Sequence, residues 1–133
     1  QRNVLFKMAK YSTLVEAWNS VTDADQFAAN AVFALISAFK GQAPCGTYNM
    51  CHALPVLNSQ IFKMLHEYKF MNIENKEWIS AGDFNRKAKA ERSFTIINSS
   101  KAKRFGFAPD DDPIIPMSIH AQRLKWRLLG SAG

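Results

Sequence analysis

Two groups of side chains in this sequence could carry chemistry: a thiol and imidazole group near residue 50, and a run of bases between residues 85 and 104. The first group is Cys45, Cys51 and His52. Zinc usually takes four ligands with close paired spacing, a catalytic thiol needs a base and an orienting partner, and neighbouring residues on a strand point to opposite faces. We therefore interpret both cysteines as structural thiols in a reducing compartment. We predict no metal site and no catalytic residue.

The run of bases holds the whole charge excess of the chain. Residues 85–104 contain seven bases and one acid, whereas the rest of the chain has ten bases and ten acids, and the net charge is +6. The seven bases are Arg86, Lys87, Lys89, Arg92, Lys101, Lys103 and Arg104. A protein that meets a polyanion on one face has this kind of distribution. On charge alone, a solvated loop that maintains solubility explains it equally well.

Hydroxyl and aromatic residues are mixed with these bases, among them Phe94, Ser99, Ser100 and Phe105. Cations neutralise phosphates, hydroxyls bond to phosphate or to the 2′-OH, and aromatic rings can stack on unpaired bases. The mixture favours RNA as the polyanion. For Phe94 and Phe105 we favour the alternative that they are core residues of strands.

Other classes of protein lack their signatures here. No apolar run approaches the roughly 18 to 20 residues that span a bilayer. The sequence contains no glycine-rich phosphate loop, nucleophile elbow or pair of metal-binding histidines. We therefore expect no membrane partner, no small-molecule substrate and no cofactor, and we predict that the protein is not an enzyme.

The first half of the chain predicts two helices around a strand. Residues 12–21 have apolar residues at i, i+4 and i+7 and are predicted to form a short helix or an arm. A clearer helix is capped by Thr22 or Asp23 and ended by Gly41. Its predicted apolar face consists of Ala28, Val32, Leu35, Ile36 and Phe39. Alternation over residues 48–54 predicts a strand.

The second half predicts a helix, several strands and a final helix. Pro55 suits a helix start, and Leu57, Ile61 and Leu65 are expected to be buried against the sheet. Strands are predicted at residues 70–74, 77–80, 93–98 and 104–107, with a basic hairpin loop at 83–92. An acidic turn at 109–113 precedes a helix that Ser118 would cap and that runs to Leu129.

These elements define an α/β fold, with two helices packed on a small β-sheet in the order helix, strand, helix, strands. An N-terminal arm occupies residues 1–21, the α/β RNA-binding domain residues 22–107, and the acidic turn and C-terminal helix residues 108–133. The first 15 residues carry three bases and no acid, as the remnant of a transit peptide would.

The stretch from residue 30 to residue 71 resembles the N-terminal domain of the small-subunit ribosomal protein eight family. In that family the first helix ends in an Arg-Asn dipeptide, and Lys40 begins the corresponding tripeptide here. The second helix leads into Phe70 without a gap, and residues 94–105 resemble the family's strand pair. Lys69 and Ala102 stand where the family usually has a glycine and a proline.

The resemblance implies a structural constituent of the small ribosomal subunit, bound to ribosomal RNA and to neighbouring small-subunit proteins. The family's C-terminal domain has no counterpart in the 26 residues after Phe107, which suggests a divergent mitochondrial member in the matrix. The expected RNA-binding residues are Lys40, Arg86, Lys87, Lys89, Arg92, Ser100, Lys101, Lys103 and Arg104. The alternative is a protein-interaction adaptor whose basic segment meets an acidic partner.

Overall fold

The computed structural model of the chain describes residues 4–70, 76–90, 93–109 and 112–130, and for residues 127–130 it describes the backbone only. The chain forms two compact units that interleave along the sequence. The first unit comprises Gln1–Asn19, Val56–Phe94 and Ile114–Gly133, and the second comprises Ser20–Pro55 and Thr95–Pro113. The fold class is mixed α/β, as the sequence predicted. The division at residues 21 and 107 stays a prediction.

The first unit contains two small sheets. Strand β1 (Thr13–Glu16) pairs in parallel with β4 (Glu77–Ser80), and β2 (Trp18–Asn19) pairs antiparallel with β3 (Val56–Leu57). Strand β4 lies where the sequence placed it. The prediction of a helix over residues 12–21 is wrong, whereas the alternative of an arm stays a prediction. Its apolar spacing also fits an extended segment in which Leu14 is buried, and pairing with residues 77–80 selects the strand.

Helix α3 (Asn58–Glu67) is the centre of the first unit. It packs against β1, β3, α1 (Val4–Lys10) and α6 (Ile114–Gly130). The prediction of burial is confirmed for Ile61 and Leu65, which are 2% and 0% exposed, whereas Leu57 is half-buried. The helix therefore buries its face against other helices as well as against the strands.

Helix α3 begins three residues after Pro55 because polar groups of the first unit satisfy its first turn. The side chain of Glu16 accepts hydrogen bonds from the backbone N–H and the hydroxyl of Ser59, at 3.2 and 2.6 Å. The N–H of Leu57 donates to the Gln60 side chain at 2.9 Å. A carboxylate at a helix N-terminus also meets the positive end of the helix dipole.

The second unit is built on helix α2 (Ala24–Phe39) and the short helix α5 (Ser100–Arg104). Asp23 caps α2 by accepting a hydrogen bond from the N–H of Gln26 at 2.9 Å, and Gly41 follows the helix with φ +68°, as the sequence predicted. The core is a cluster of small and aromatic side chains. Its buried members are Ala43, Ala102, Phe107 and Ala108, with Ala34, Tyr48, Met50 and Phe105 packed against them.

The predicted apolar face of α2 is exposed. Val32, Leu35 and Phe39 are 57%, 61% and 90% exposed, and Ile36 and Ala28 are exposed as well. The helix instead turns Ser37 and Ala34 inward. Small side chains on that side allow α2 to approach Phe107 closely, and the ring of Phe33 meets that of Phe107 at 5.7 Å.

The strands predicted at residues 48–54, 93–98 and 104–107 are absent. All residues of these three segments are described. Residues 95–98 bond instead to two separate segments. The N–H of Ser20 donates to Thr95 O at 2.9 Å, and Asn49 Nδ2 donates to Asn98 O at 3.0 Å. A strand needs a continuous partner, and no neighbouring segment of this unit provides one. Phe94 and Phe105 are half-buried outside any strand.

One predicted loop is partly a helix, and one predicted strand is mostly a turn. Residues 83–87 of the predicted hairpin loop belong to α4 (Ala81–Lys87), and most of residues 104–107 follows α5 as a turn. The last helix, α6, begins four residues before Ser118, whose hydroxyl donates to Ile115 O at 2.7 Å and does not cap the helix. Residues 71–74 of the strand predicted at 70–74 and part of the acidic turn lie outside the described residues. Within the described residues, no helix is long and apolar enough to span a membrane.

Candidate nucleic-acid interface

Helix α5 presents three bases within five residues. Lys101, Lys103 and Arg104 are exposed, whereas Ala102 between them is fully buried in the core of the second unit. Residues 93–109 contain no acid. The buried alanine fixes the helix on the core, so the bases are held on a rigid support.

Polar groups at both ends of α5 define its short length. The side chain of Asn98 accepts a hydrogen bond from the N–H of Ser100 at 2.8 Å, and Gly106 ends the helix with φ +74°. The N–H of Phe107 returns to Ala102 O at 2.9 Å, which places the Phe107 ring in the core. An αL glycine with this return hydrogen bond is a common helix end.

Lys101 contacts the loop before residue 50. Its ammonium donates to Thr47 O at 3.1 Å and lies 4.4 Å from the centroid of the Tyr48 ring. The Tyr48 ring in turn meets Phe107 at 5.2 Å and Phe105 at 6.0 Å. A cation over an aromatic face is stabilised by the ring quadrupole. An ammonium has three donors, so Lys101 can hold this loop and still contact an anion.

Helix α4 presents bases of the first unit, and one of them is paired. The hydroxyl of Ser80 accepts a hydrogen bond from the N–H of Asp83 at 3.0 Å and donates to its carboxylate at 2.6 Å. Arg86 bonds the other carboxylate oxygen. The hydrogen bond from Ser80, and then that from Arg86, hold the pKa of Asp83 below its ordinary value. Because Asp83 offsets the charge of Arg86, the exposed Lys87 and Lys89 carry the excess here.

The structure divides the expected RNA-binding residues between the two units. Arg86, Lys87 and Lys89 belong to the first unit, whereas Lys40, Ser100, Lys101, Lys103 and Arg104 belong to the second. All of these are exposed, and Arg92 lies outside the described residues. The continuous basic run of the sequence is therefore two short basic surfaces, one on each unit. Lys40 lies at the C-cap of α2, where a cation suits the helix dipole.

Charge is distributed unequally between the units. The first unit contains thirteen bases and six acids, a net charge of +7, and the second contains four bases and five acids, a net charge of −1. Helix α5 is thus a local basic surface on a unit that is otherwise acidic. In contrast, α4 extends a basic character that the whole first unit shares.

The thiol and imidazole group lies in the second unit and forms part of its structure. Cys45 is exposed and Cys51 is buried, and both are free thiols. The Cys51 thiol donates to Ile97 O at 3.7 Å, and the backbone N–H of His52 donates to Val21 O at 3.0 Å. His52 is itself buried. These contacts fasten residues 51 and 52 to neighbouring segments and are consistent with the structural interpretation of the group.

The apolar periodicity did not predict the short helices α4 and α5, but the sequence contains other signals for them. Ser80 and Asp83 form a capping pair at positions N-cap and N3, which is a helix start signal. Helix α5 is followed by Gly106, which is a stop signal, and the side chain of Asn98, one position before the N-cap Ser99, accepts a hydrogen bond from the N–H of Ser100. Each helix is so short that start and end signals are more informative than its apolar spacing.

Comparisons with protein-family models, with curated proteins and with solved structures give no match to this chain.

Proposed function

We propose that this protein binds RNA through the bases of α5 and that it acts as a structural component of a ribonucleoprotein particle without catalysing a reaction. The observation that carries the proposal is the exposure of Lys101, Lys103 and Arg104 around a buried Ala102. Three cations on one turn and a half of a fixed helix can meet successive phosphates of one strand. Each neutralised phosphate releases condensed counterions, which favours binding.

The surroundings of α5 suit RNA better than a simple anion. Asn98 and Ser100 provide amide and hydroxyl groups beside the bases, and both are exposed. Such groups bond to phosphate oxygens or to the 2′-OH. Lys87 and Lys89 on the first unit supply a second basic surface for the same strand or for another one.

The particle proposed is the small ribosomal subunit, in the mitochondrial matrix. Support comes from the resemblance of α2, α3 and the residues that join them to the ribosomal protein eight family. Lys69 adds a detail to that resemblance: it has φ +48°, the left-handed conformation that glycine favours, at the position where the family has a glycine. The strands that the resemblance also implied at 93–98 and 104–107 are absent. The proposal therefore depends on helices α2 and α3 and on the exposed bases of α5.

The test removes two exposed bases of α5 and keeps Lys101, which contacts the Tyr48 loop. Lys103→Gln combined with Arg104→Gln should weaken binding to purified small-subunit ribosomal RNA and lower the slope of log K against log salt by about 1.5, because each lost phosphate contact contributes about 0.7 to 0.9. Circular dichroism should stay unchanged, since both side chains are exposed.

A matched control removes the same charge elsewhere. Lys7→Gln combined with Lys10→Gln changes two exposed bases on α1 of the first unit. A smaller change in slope than for the α5 variant supports a local site. Equal changes in both variants would mean that net charge alone drives binding and would refute the α5 site. Co-sedimentation of the parent protein with small ribosomal subunits, reversed by ribonuclease, tests the particle.

A second candidate function is a protein-interaction adaptor, and the local basic surface of α5 on an otherwise acidic unit favours it. In that case an acidic protein partner would occupy the basic surface. The α5 variant distinguishes the two functions. If it keeps its place in the particle and its RNA affinity but loses a protein partner, the adaptor function replaces RNA binding.

A further inference from the structure

Helix α2 is apolar on almost every side. Between Gln26 and Phe39 the sequence contains no charged residue. A helix that is apolar all round is normally buried, because a surface helix keeps a polar face toward water. Yet one side of α2 is exposed along its whole length. Its exposed residues include Phe27, Ala28, Val32, Leu35, Ile36 and Phe39.

The exposed side of α2 has the spacing of a coiled-coil seam. Ala28, Val32, Leu35 and Phe39 follow one another at intervals of four, three and four residues, which is the spacing of heptad positions d, a, d and a. The flanking positions are Ala29, Ala31, Ile36 and Ala38. These positions usually carry charges that select a partner or repel a second copy. Here they carry none, so two copies of this helix can approach without repulsion.

We propose that this seam is a homodimer interface, on which a second copy of the chain packs its own α2 in the antiparallel direction. In that direction, Phe39 packs against Ala28 of the partner subunit and Leu35 against Val32 of the partner subunit. Each layer then combines a larger with a smaller side chain, which fills the space between the helices evenly. A parallel pair would place two phenylalanines together at one end and two alanines at the other, leaving one layer overpacked and one with a cavity.

The area of the seam is in the range of a small dimer interface. Four of its large side chains are 45% to 90% exposed: Val32, Leu35, Ile36 and Phe39. With full areas of roughly 150 to 250 Å² for large side chains, these residues expose about 400 to 600 Å². Two copies would bury about 800 to 1,200 Å² of apolar surface, a range that includes the ~1,000 Å² that separates specific interfaces from incidental contacts. Helix α2 is already folded on the core of its unit, so little order has to be gained on association.

Charges at the ends of α2 favour the same direction. Asp25 lies in its first turn and Lys40 at its C-cap, and both side chains are exposed. In an antiparallel pair, Asp25 of each copy lies near Lys40 of the partner subunit, and the two helix dipoles are opposed. In a parallel pair, like charges would lie at each end.

The first experiment measures the oligomeric state by sedimentation equilibrium at micromolar concentration. The parent chain should be a dimer, and Phe39→Glu should raise the dimer dissociation constant by about 30-fold or more, as expected for a hot spot. The Phe39 ring is 90% exposed, so the variant should fold. If circular dichroism shows that it does not fold, Leu35→Lys replaces it and should weaken the dimer in the same way. Trp126→Glu on α6 is the matched control because that side chain is 74% exposed. A monomeric parent, or a dimer that Trp126→Glu dissociates and Phe39→Glu does not, would overturn the proposal.

The second experiment tests the direction. In a Cys45→Ser background, chains with Ala28→Cys are mixed with chains with Phe39→Cys and oxidised. A disulfide requires Cβ atoms about 3.5 to 4.5 Å apart, so the antiparallel pair should form the mixed disulfide and little of either homodimer. Disulfides within each single variant, without the mixed product, would show a parallel pair and refute this register. Neither outcome depends on RNA binding by α5.

Discussion

Helices α2 and α3 have the same kind of apolar spacing, yet the apolar face of α3 is buried and that of α2 is exposed. A matched pair of leucine variants measures the difference in stability that this burial should produce. Leu65 on α3 is 0% exposed and Leu35 on α2 is 61% exposed. Leu→Ala removes about three carbons, each contributing about 0.8 kcal/mol when buried. For Leu65 this gives about 2.4 kcal/mol plus a cavity term, so the loss should be about 3 to 5 kcal/mol. For Leu35 it should be about 1 kcal/mol or less, because no cavity forms.

Both variants are best made in the Phe39→Glu background, so that the free energy of unfolding refers to a single chain. Urea denaturation followed by far-UV circular dichroism reports on both units, and the midpoint gives the change in stability if the slope is unchanged. A loss for Leu35→Ala as large as that for Leu65→Ala would mean that the apolar face of α2 is buried within the chain. That result would also remove the basis of the dimer.

Further predictions concern single positions. Ile61→Ala should lower the free energy of unfolding by about 2 to 5 kcal/mol in urea denaturation, and a loss under about 0.5 kcal/mol would mean that α3 buries another face. Lys69→Gly should raise it by about 1 kcal/mol because glycine adopts the left-handed conformation without strain; a destabilised variant would contradict the φ of +48°. Asp83 has a lowered pKa, so the stability it contributes should be present above its ordinary pKa and lost as the pH falls through the lowered value, and NMR titration of its carboxyl should show this depression. Cys45 should react with iodoacetamide in the native protein and Cys51 only after unfolding, as mass spectrometry of the alkylated chain can measure; equal rates would contradict their burial.

The sequence predicted the elements that depend on local interactions. Asp23 and Gly41 bound α2 as predicted, because a cap uses groups within three or four residues of itself. The buried positions of α3 were also predicted, since Ile61 and Leu65 recur at helical spacing on a helix that the rest of its unit surrounds. The bases of α5 were identified from composition alone, although their position on a helix was not.

Tertiary structure decided the elements that need a distant partner. Residues 13–16 and 48–54 both have patterns that allow a strand, but only the first segment finds one, in residues 77–80 more than 60 positions away. The pairing supplies the hydrogen bonds that an extended segment cannot make within itself. No local pattern shows whether such a partner will be present.

The covered face of α2 was decided in the same way. Its sequence offers apolar side chains in nearly every direction, and periodicity identified an apolar face that includes Val32, Leu35 and Phe39. The structure turns Ala34 and Ser37 inward, and the ring of Phe33 packs against that of Phe107. Periodicity therefore established that α2 has an apolar face, and packing against residues distant in the sequence determined which side the chain covers itself.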